Sequence, residues 1–170
     1  MRVMTTASEF KNGMRRLSGA VNIITTLNDG VPAGMTATAV CSLTADPPML
    51  LVCVNKVATS HDPIKRSGRF TVNVLSADDI AVAQRFSTGD MDTRFKIGDW
   101  SRLASGGLTL CTALVTFDCA LMDSIPIETH SIFIGRVEEV VIRPERSPLV
   151  YINGQYAQVP VPTALRSINS

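Results

Sequence analysis

Strand-like segments follow one another along most of this chain, and few helical segments separate them. Each is rich in β-branched or alternating apolar residues and is bounded by turn residues, which is typical of strands. A parallel sheet needs a regular helix between successive strands, and those helices are missing. The sequence therefore predicts a mainly β fold with a few short helices, and it favours a closed antiparallel barrel over an open sheet. The predicted strands are residues 20–27, 34–43, 49–55, 69–75, 108–125 (one strand, or two with a turn), 130–144 and 149–159.

Helical patterns are confined to short segments. Residues 8–17 place three large apolar residues on one helical face, with Ser8 as a candidate N-cap. Ser76, followed three residues later by Asp79, forms a capping-box pattern that predicts a helix over 76–86. The three apolar residues of the first helix are Phe10, Met14 and Leu17. The remaining segments are a short helix or turn at 62–68 and a long polar, glycine-rich excursion at 88–107.

The composition bounds the class of protein. A chain of 170 residues predicts one domain, residues 1–170, with a loosely held tail from about 160. Hydrophobic residues make up 45%, and part of that surplus is expected in a subunit interface. The net charge of +1, from 16 basic and 15 acidic residues, argues against binding to nucleic acid. The apolar run 49–54 is too short to span a membrane, and residues 1–10 lack the apolar core of a secretory signal, so we expect a cytoplasmic protein.

The cysteines and histidines do not form a metal-binding pattern. No C-x-x-C pair occurs, and neither histidine, His61 or His130, is near a cysteine in sequence, so a structural zinc site is not expected. Three cysteines lie in apolar strand-like runs, which predicts that they behave as small buried hydrophobes. These three are Cys53, Cys111 and Cys119, and the environment of the fourth, Cys41, stays open.

The stretch 33–56, "AGMTATAVCSLTADPPMLLVCVNK", combines small and hydroxyl residues with a purely apolar run. A planar ring laid against a strand needs small residues beneath it and backbone N–H groups at its rim. Lys56, Thr59 and Ser60 then offer a charge and hydroxyl donors of the kind that bind phosphate. Threonine and serine also suit an edge strand and a helix cap, so the residues alone leave both interpretations open. The small residues are Gly34, Ala37 and Ala39, and the hydroxyl residues are Thr36, Thr38 and Ser42.

Several motifs together resemble one known family. They are "AGMTATAVCSLTADPPMLLVCVN" (33–55), "SGRFTVNVL" (67–75), "AQRFS" (83–87), Arg94 with Phe95 and Trp100, "ALVTFDC" (113–119), "THSIFIGRV" (129–137) and "PLVYINGQY" (148–156). In this order they resemble the short-chain NAD(P)H:flavin reductases, the small components of two-component flavin monooxygenases. The resemblance runs from about Phe10 to Tyr156. The fingerprints of the Rossmann and P-loop nucleotide sites do not occur in the sequence.

The resemblance implies a homodimer of six-stranded, flavin-reductase-like split barrels with FMN or FAD near the subunit interface. It implies that Lys56, Thr59 and Ser60 hold the flavin phosphate, and that Phe86 and Tyr151 help to close the site. The isoalloxazine ring and ribityl chain would lie against a wall made of Met35, Thr36, Ala37, Thr38, Ala39, Val40, Cys41 and Ser42, continued by Cys53, Val54 and Asn55.

The resemblance also gives His130 a role beside the nicotinamide or the flavin edge, although by itself a histidine there could simply end a strand. Glu128, two residues earlier, departs from the small residue that the family often carries, which leaves the preference for NADH or NADPH open. We interpret His61 as a turn residue near the phosphate end.

The function implied by the resemblance is hydride transfer from NADH or NADPH to flavin, with the reduced flavin supplied to a partner monooxygenase. The nicotinamide C4 would give hydride to flavin N5, so the protein needs little acid–base chemistry of its own. Two alternatives remain at this point. One is a reductase of the same fold that acts on a corrinoid or a metal complex, and the other is a flavin-binding barrel without turnover.

Overall fold

The computed structural model describes residues 5–161, and these residues form a mainly β fold. The predicted tail beyond residue 161 lies outside the described residues. The helices are α1 (Ala7–Met14), α2 (His61–Ser67), α3 (Ile80–Thr88) and α4 (Met91–Arg94). The strands are β1 (Gly19–Ala20), β2 (Asn22–Asn28), β3 (Val31–Ala37), β4 (Val40–Ala45), β5 (Pro48–Asn55), β6 (Arg69–Val74), β7 (Trp100–Arg102), β8 (Leu108–Leu110), β9 (Val115–Ile127), β10 (His130–Ile142), β11 (Leu149–Ile152) and β12 (Gln155–Gln158).

Seven strands form the main sheet, in the order β3-β2-β6-β9-β10-β5-β4 with every neighbouring pair antiparallel. Within residues 5–161, its two edge strands, β3 and β4, do not pair with each other, so the barrel is split rather than closed. The split-barrel class is thus confirmed. The sheet has seven strands instead of six because the predicted strand 34–43 is divided at Thr38 and Ala39, where the backbone turns and the chain passes from one edge of the sheet to the other.

The buried side chains form two clusters, and β2 contributes to both. Ile24 faces the barrel interior together with Phe70 and Phe133, whereas Ile23 faces the second cluster beneath α3, which includes Phe86. Burial on both faces of β2 explains why apolar residues follow one another there without alternation. One side of the barrel is therefore packed against α3, and α3 covers the face of β3 that points away from the barrel interior.

Two predicted helix starts can be compared with the structure. Ser76 and Asp79 form the expected capping box, which closes one 3₁₀ turn before α3 begins at Ile80. The first helix is capped by Thr6, whose side chain pairs reciprocally with Glu9, and Ser8 was therefore the wrong cap. The cap lies two residues earlier because the threonine has the glutamate at the spacing that a capping box requires.

The C-terminal predictions were partly correct. Segment 108–125 is two strands, β8 and β9, and segment 149–159 is a hairpin rather than one strand. Asn153 and Gly154 have φ angles of 53° and 81°, which suit the two-residue turn between β11 and β12. None of the helices within residues 5–161 is long and apolar enough to cross a bilayer.

Candidate functional site

The predicted wall lies on both sides of the split. Thr38 and Ala39, at the junction of β3 and β4, are exposed, and so are Cys41 and Ser42 on β4, while Val40 is half-buried. Since each edge strand has a strand neighbour on one side only, part of its backbone N–H and C=O groups faces the split. Small side chains and outward backbone groups therefore occur together, as a flat ligand would require.

Three members of the predicted wall turn inward. The hydroxyl of Thr36 donates to the carbonyl oxygen of Ala83 in α3 at 2.7 Å, so that hydroxyl is already used by the fold. Ala37 is 8% exposed, and Met35 is half-buried against the barrel core. These residues shape the wall from within, and ligand contacts from β3 would come from its backbone.

Two predicted contact residues are too buried to reach a ligand with their side chains. Val54 is 0% exposed inside the barrel, because alternate residues of β5 point inward. Phe86 is 1% exposed, and a Cβ added to Gly34 would lie 2.9 Å from its ring. The expectation that Phe86 closes the site is therefore corrected: its ring supports β3 from behind, and Gly34 makes room for it.

The cysteine predictions are also refined. Cys119 is fully buried, and burial raises the pKa of its thiol to about 12. Cys53 and Cys111 are only half-buried, which corrects the expectation that they are core residues. Cys53 remains part of the predicted wall, since its backbone N–H donates to the carbonyl of Ala39 at 3.0 Å and joins β5 to the junction.

The predicted phosphate-binding residues follow the end of β5. Lys56 and Thr59 are exposed, and the side-chain oxygen of Asn55 accepts from the N–H of Val57 at 3.1 Å, which shapes the turn. Ser60 is 0% exposed, and its hydroxyl has no hydrogen-bond partner among the described residues. A buried hydroxyl left unpaired costs about 1–3 kcal/mol, so Ser60 carries a donor that still lacks an acceptor. Because the residue is 0% exposed, a ligand would reach this hydroxyl only after the turn shifts.

Arg94 brings a second cation to the same turn, and sequence reasoning gave it no role. Its Nη1 donates to the hydroxyl of Thr59 and to the carbonyl of Gly34, both at 2.8 Å, and its Nε donates to the carbonyl of Gly89 at 3.0 Å. The guanidinium thus connects the turn after β5 to the edge strand β3. The only signal in the sequence was the "RF" pair at 94–95, which does not show where the chain folds back.

His130 lies at the start of β10, directly opposite Asn55 on β5 and Ile127 on β9. Its Nδ1 is 2.8 Å from the hydroxyl of Thr129, and the carbonyl of Thr129 accepts the N–H of Lys56 at 2.9 Å. The structure therefore brings the predicted catalytic histidine next to the predicted phosphate end.

Tyr151, also predicted to close the site, is 38% exposed on β11. Its ring packs against that of Tyr156, with centroids 5.4 Å apart. Together with Thr38 and Ala39 it lines a cleft of about 480 Å³ whose opposite side is α1. Tyr151 is thus placed beside the exposed part of the wall.

Residues 14–160, nearly the whole described chain, match the family model of the flavin reductase like domain. The chain belongs to the flavin reductase-like family. A relative within this family is an FMN reductase (NADH), RutF, of Methylorubrum populi, which is 39% identical over 155 residues covering 91% of this chain and 77% of the relative.

Two solved structures of flavin reductase-like chains extend the comparison. BorF, the flavin reductase component of a bacterial two-component tryptophan halogenase, has a TM-score of 0.84 and 32% identity, covering 92% of this chain and 100% of its own. Nitrilotriacetate monooxygenase component B of Mycobacterium thermoresistibile has a TM-score of 0.85 and 31% identity, covering 90% and 86% of the two chains.

The donor set of this flavin reductase-like chain fits the phosphate of a flavin. Lys56 supplies an exposed positive charge, Ser60 supplies a buried hydroxyl without a partner, and Arg94 places its guanidinium on Thr59. Charge-assisted hydrogen bonds of this kind are about twice as strong as neutral ones. The chemistry of the turn therefore suits a dianionic group better than a neutral one.

Proposed function

We propose that this protein transfers hydride from NADH to FMN and passes the reduced flavin to a separate oxygenase. The observation that carries the proposal is the hydrogen bond from the N–H of Lys56 to the carbonyl of Thr129, because it sets the phosphate-type donors after β5 directly beside His130. A ligand with a phosphate tail and a flat ring could then lie with its tail at Lys56 and its ring along the split.

The names of the relatives support the choice of substrates. RutF of Methylorubrum populi, 39% identical, is described as an FMN reductase that uses NADH. BorF is the flavin reductase component of a two-component tryptophan halogenase, and the Mycobacterium protein is component B of nitrilotriacetate monooxygenase. We therefore favour FMN and NADH over FAD and NADPH, and an oxygenase as the acceptor of the reduced flavin.

The residues of this chain have the tasks of binding, orienting and excluding water. When bound, flavin supplies the hydride-accepting atom and so carries the redox chemistry. Lys56, Thr59 and Ser60 would hold the phosphate, and His130 would orient the nicotinamide so that the reacting atoms lie about 3–3.5 Å apart. Backbone N–H groups at the edges of the split would stabilise the negative charge that a bound flavin gains when it accepts hydride.

A homodimer is part of the proposal, since the surface around His130 is apolar. Residues directly opposite one another in neighbouring strands point to the same face of a sheet. On β10, His130 is paired with Ile127, and Ile132, two residues later, is paired with Cys53 and Ile125. Residues two apart in a strand also point to the same face, so all five share the outer face. Ile125 and Ile127 are 39% and 51% exposed, and a second copy of the chain would cover them beside the flavin.

Anaerobic mixing of the purified protein with NADH and excess FMN tests the proposal. We expect the flavin absorbance to bleach at a rate proportional to enzyme concentration, with FAD and NADPH as slower parallel arms. A chain that binds FMN but leaves NADH unoxidised would instead be a non-catalytic flavin carrier. Tight retention of flavin, with turnover only after addition of a corrinoid or ferric complex, would favour the alternative of a reductase that uses bound flavin to reduce such an acceptor.

A further inference from the structure

The imidazole of His61 is buried between two elements of the proposed site. It is 6% exposed, its Nδ1 lies 2.9 Å from Oδ1 of Asp62, and its Nε2 lies 3.0 Å from the hydroxyl of Ser131. The ring also packs against that of Phe133, with centroids 5.2 Å apart. These contacts hold the ring in one orientation. The sequence did not predict them.

The three side chains form a chain of hydrogen bonds with a defined direction. The carboxylate of Asp62 can only accept, so Nδ1 of His61 carries the proton and donates to it. In the neutral imidazole Nε2 is then an acceptor, and the hydroxyl of Ser131 donates to it. The bond from His61 holds the pKa of Asp62 below its ordinary value, so the acceptor at the start of this chain stays ionised at neutral pH. Ser131 is only 2% exposed, which makes its hydroxyl a structural donor rather than an accessible nucleophile.

The two ends of this chain belong to different parts of the proposed site. His61 directly follows Ser60 and begins α2, and its backbone N–H donates to the carbonyl of Ala58 in the turn that follows β5. Ser131 directly follows His130, and because side chains alternate along a strand, Ser131 points into the barrel while His130 points outward. The hydrogen bond between His61 and Ser131 therefore fixes the turn after β5 relative to the first residue of β10.

We propose that His61 is a positioning residue that sets the distance between the phosphate-binding turn (residues 56–60) and His130. The inference rests on the proposed function, in which the turn binds the flavin phosphate and His130 orients the nicotinamide. With the bond intact, a flavin anchored by its phosphate presents its ring at a fixed place relative to His130. Without the bond, only the backbone contacts of Asn55 and Lys56 join the turn to β10, so residues 58–60 can shift relative to His130, and both flavin affinity and hydride transfer suffer.

The test compares Ser131→Ala, His61→Leu and the double variant with the parent protein. Dissociation of FMN is measured by quenching of its fluorescence, and flavin reduction is measured by stopped flow at saturating FMN and NADH. We expect each single variant to bind FMN about threefold to tenfold more weakly and to reduce it about fivefold to tenfold more slowly, as the loss of one buried hydrogen bond allows. The double variant should match the single variants, because all three lack the same bond.

Two further variants separate positioning from general stability. His61→Gln places an amide near the position of Nε2 and should restore most of both properties. Ser76→Ala is the matched control. The hydroxyl of this buried serine donates to the carboxylate of Asp79 over 2.7 Å, and this bond lies outside the proposed site. The substitution should lower Tm and leave FMN affinity and reduction rate unchanged.

The inference is overturned if Ser131→Ala lowers Tm but binds and reduces FMN as the parent does. It is equally overturned if only affinity or only rate changes, because a shared positioning role affects both. If the parent binds FMN but does not reduce it, the proposed function fails, and the FMN affinities of the variants still decide whether the bond holds the phosphate-binding turn in place.

Discussion

His130 is an exposed residue with one ring nitrogen in a hydrogen bond. Nδ1 lies 2.8 Å from the hydroxyl of Thr129, and the residue is exposed at the start of β10. In His130→Asn the amide can replace Nδ1, so we expect folding and FMN binding to persist. The loss of Nε2 should lower kcat/KM for NADH at least about tenfold, equivalent to roughly 1.4 kcal/mol of transition-state stabilisation.

Stopped-flow reduction of the FMN-loaded protein measures the effect of His130→Asn. His130→Gln, whose amide reaches the position of Nε2, serves as the matched variant and should recover part of the rate. An unchanged rate in His130→Asn together with a lower Tm would assign this histidine to the strand end alone.

Lys56 is the residue whose removal should affect flavin affinity alone. It is exposed, so Lys56→Ala leaves the fold intact. Loss of a charged hydrogen bond should weaken FMN binding by about 1.5–3 kcal/mol, whereas hydride transfer at saturating FMN should change little. Equilibrium titration of FMN fluorescence gives the affinity. Lys65→Ala, on the exposed surface of α2, controls for the change in net charge, and equal effects of both variants would place the phosphate elsewhere.

Glu128 occupies a backbone conformation that favours glycine. Its φ of 43° lies in the left-handed region, as do those of Asp29 (51°) and Asn153 (53°), but aspartate and asparagine tolerate this region better than glutamate does. Glu128→Gly should therefore raise the free energy of unfolding by about 1 kcal/mol, and Asp29→Gly, the matched control, by less. Chemical denaturation measures both, and a destabilised Glu128→Gly protein would contradict the prediction.

Among the elements, β10 contains a glycine whose position leaves no room for a side chain. A Cβ at Gly135 would lie 2.5 Å from the Phe70 ring and 2.8 Å from Cβ of Cys119, at a register shift between β10 and β9. We expect Gly135→Ala to lower the free energy of unfolding by about 1–3 kcal/mol, because the barrel interior has no space for the methyl group. A Cβ at Gly13 in α1 would meet no atom within 4 Å, so Gly13→Ala should raise the free energy of unfolding.

The sequence predicted the elements whose pattern is local. Strand β6 and the capping box of α3 were confirmed because alternation and capping depend only on near neighbours in the chain. The division of segment 34–43 was missed, since only the pairing of its two halves with β2 and β5 distinguishes one strand from two. Arg94 and the bond between His61 and Ser131 were missed for the same reason: their partners are far away in sequence and their meeting depends on the complete fold.

At the scale of the whole molecule, we expect a homodimer in solution. The outer face of β9 and β10 exposes Ile125 and Ile127. Phe10 in α1 is 62% exposed, and Leu17, after the end of this helix, is 64% exposed. Apolar groups that remain exposed in a single chain favour association when a matching surface covers them. Light scattering at micromolar concentration should give twice the mass of the chain.

A charge on the outer face of β9 and β10 should affect both dimer formation and FMN binding. Ile127→Asp is expected to shift the protein toward monomer and to weaken FMN binding, because the proposal places the flavin at the interface that covers this residue. Val31→Asp, at a position 67% exposed on β3, is the control and should leave the mass unchanged. A monomeric parent protein, or a monomeric Ile127→Asp variant with full FMN affinity, would argue against a flavin site at the subunit interface.

The junction at Thr38 and Ala39 fixes how far the barrel can open. Strands β3 and β4 are at opposite ends of a seven-strand sheet, and a flat sheet would hold them about 29 Å apart. The chain between Ala37 and Val40 can span at most about 11 Å, so the covalent backbone itself forces the sheet to curl. This short connection also limits the width of the split next to the junction. Near the junction, breathing motions cannot separate the two edge strands by more than this covalent connection allows, so the split has more freedom to widen at the end away from the junction.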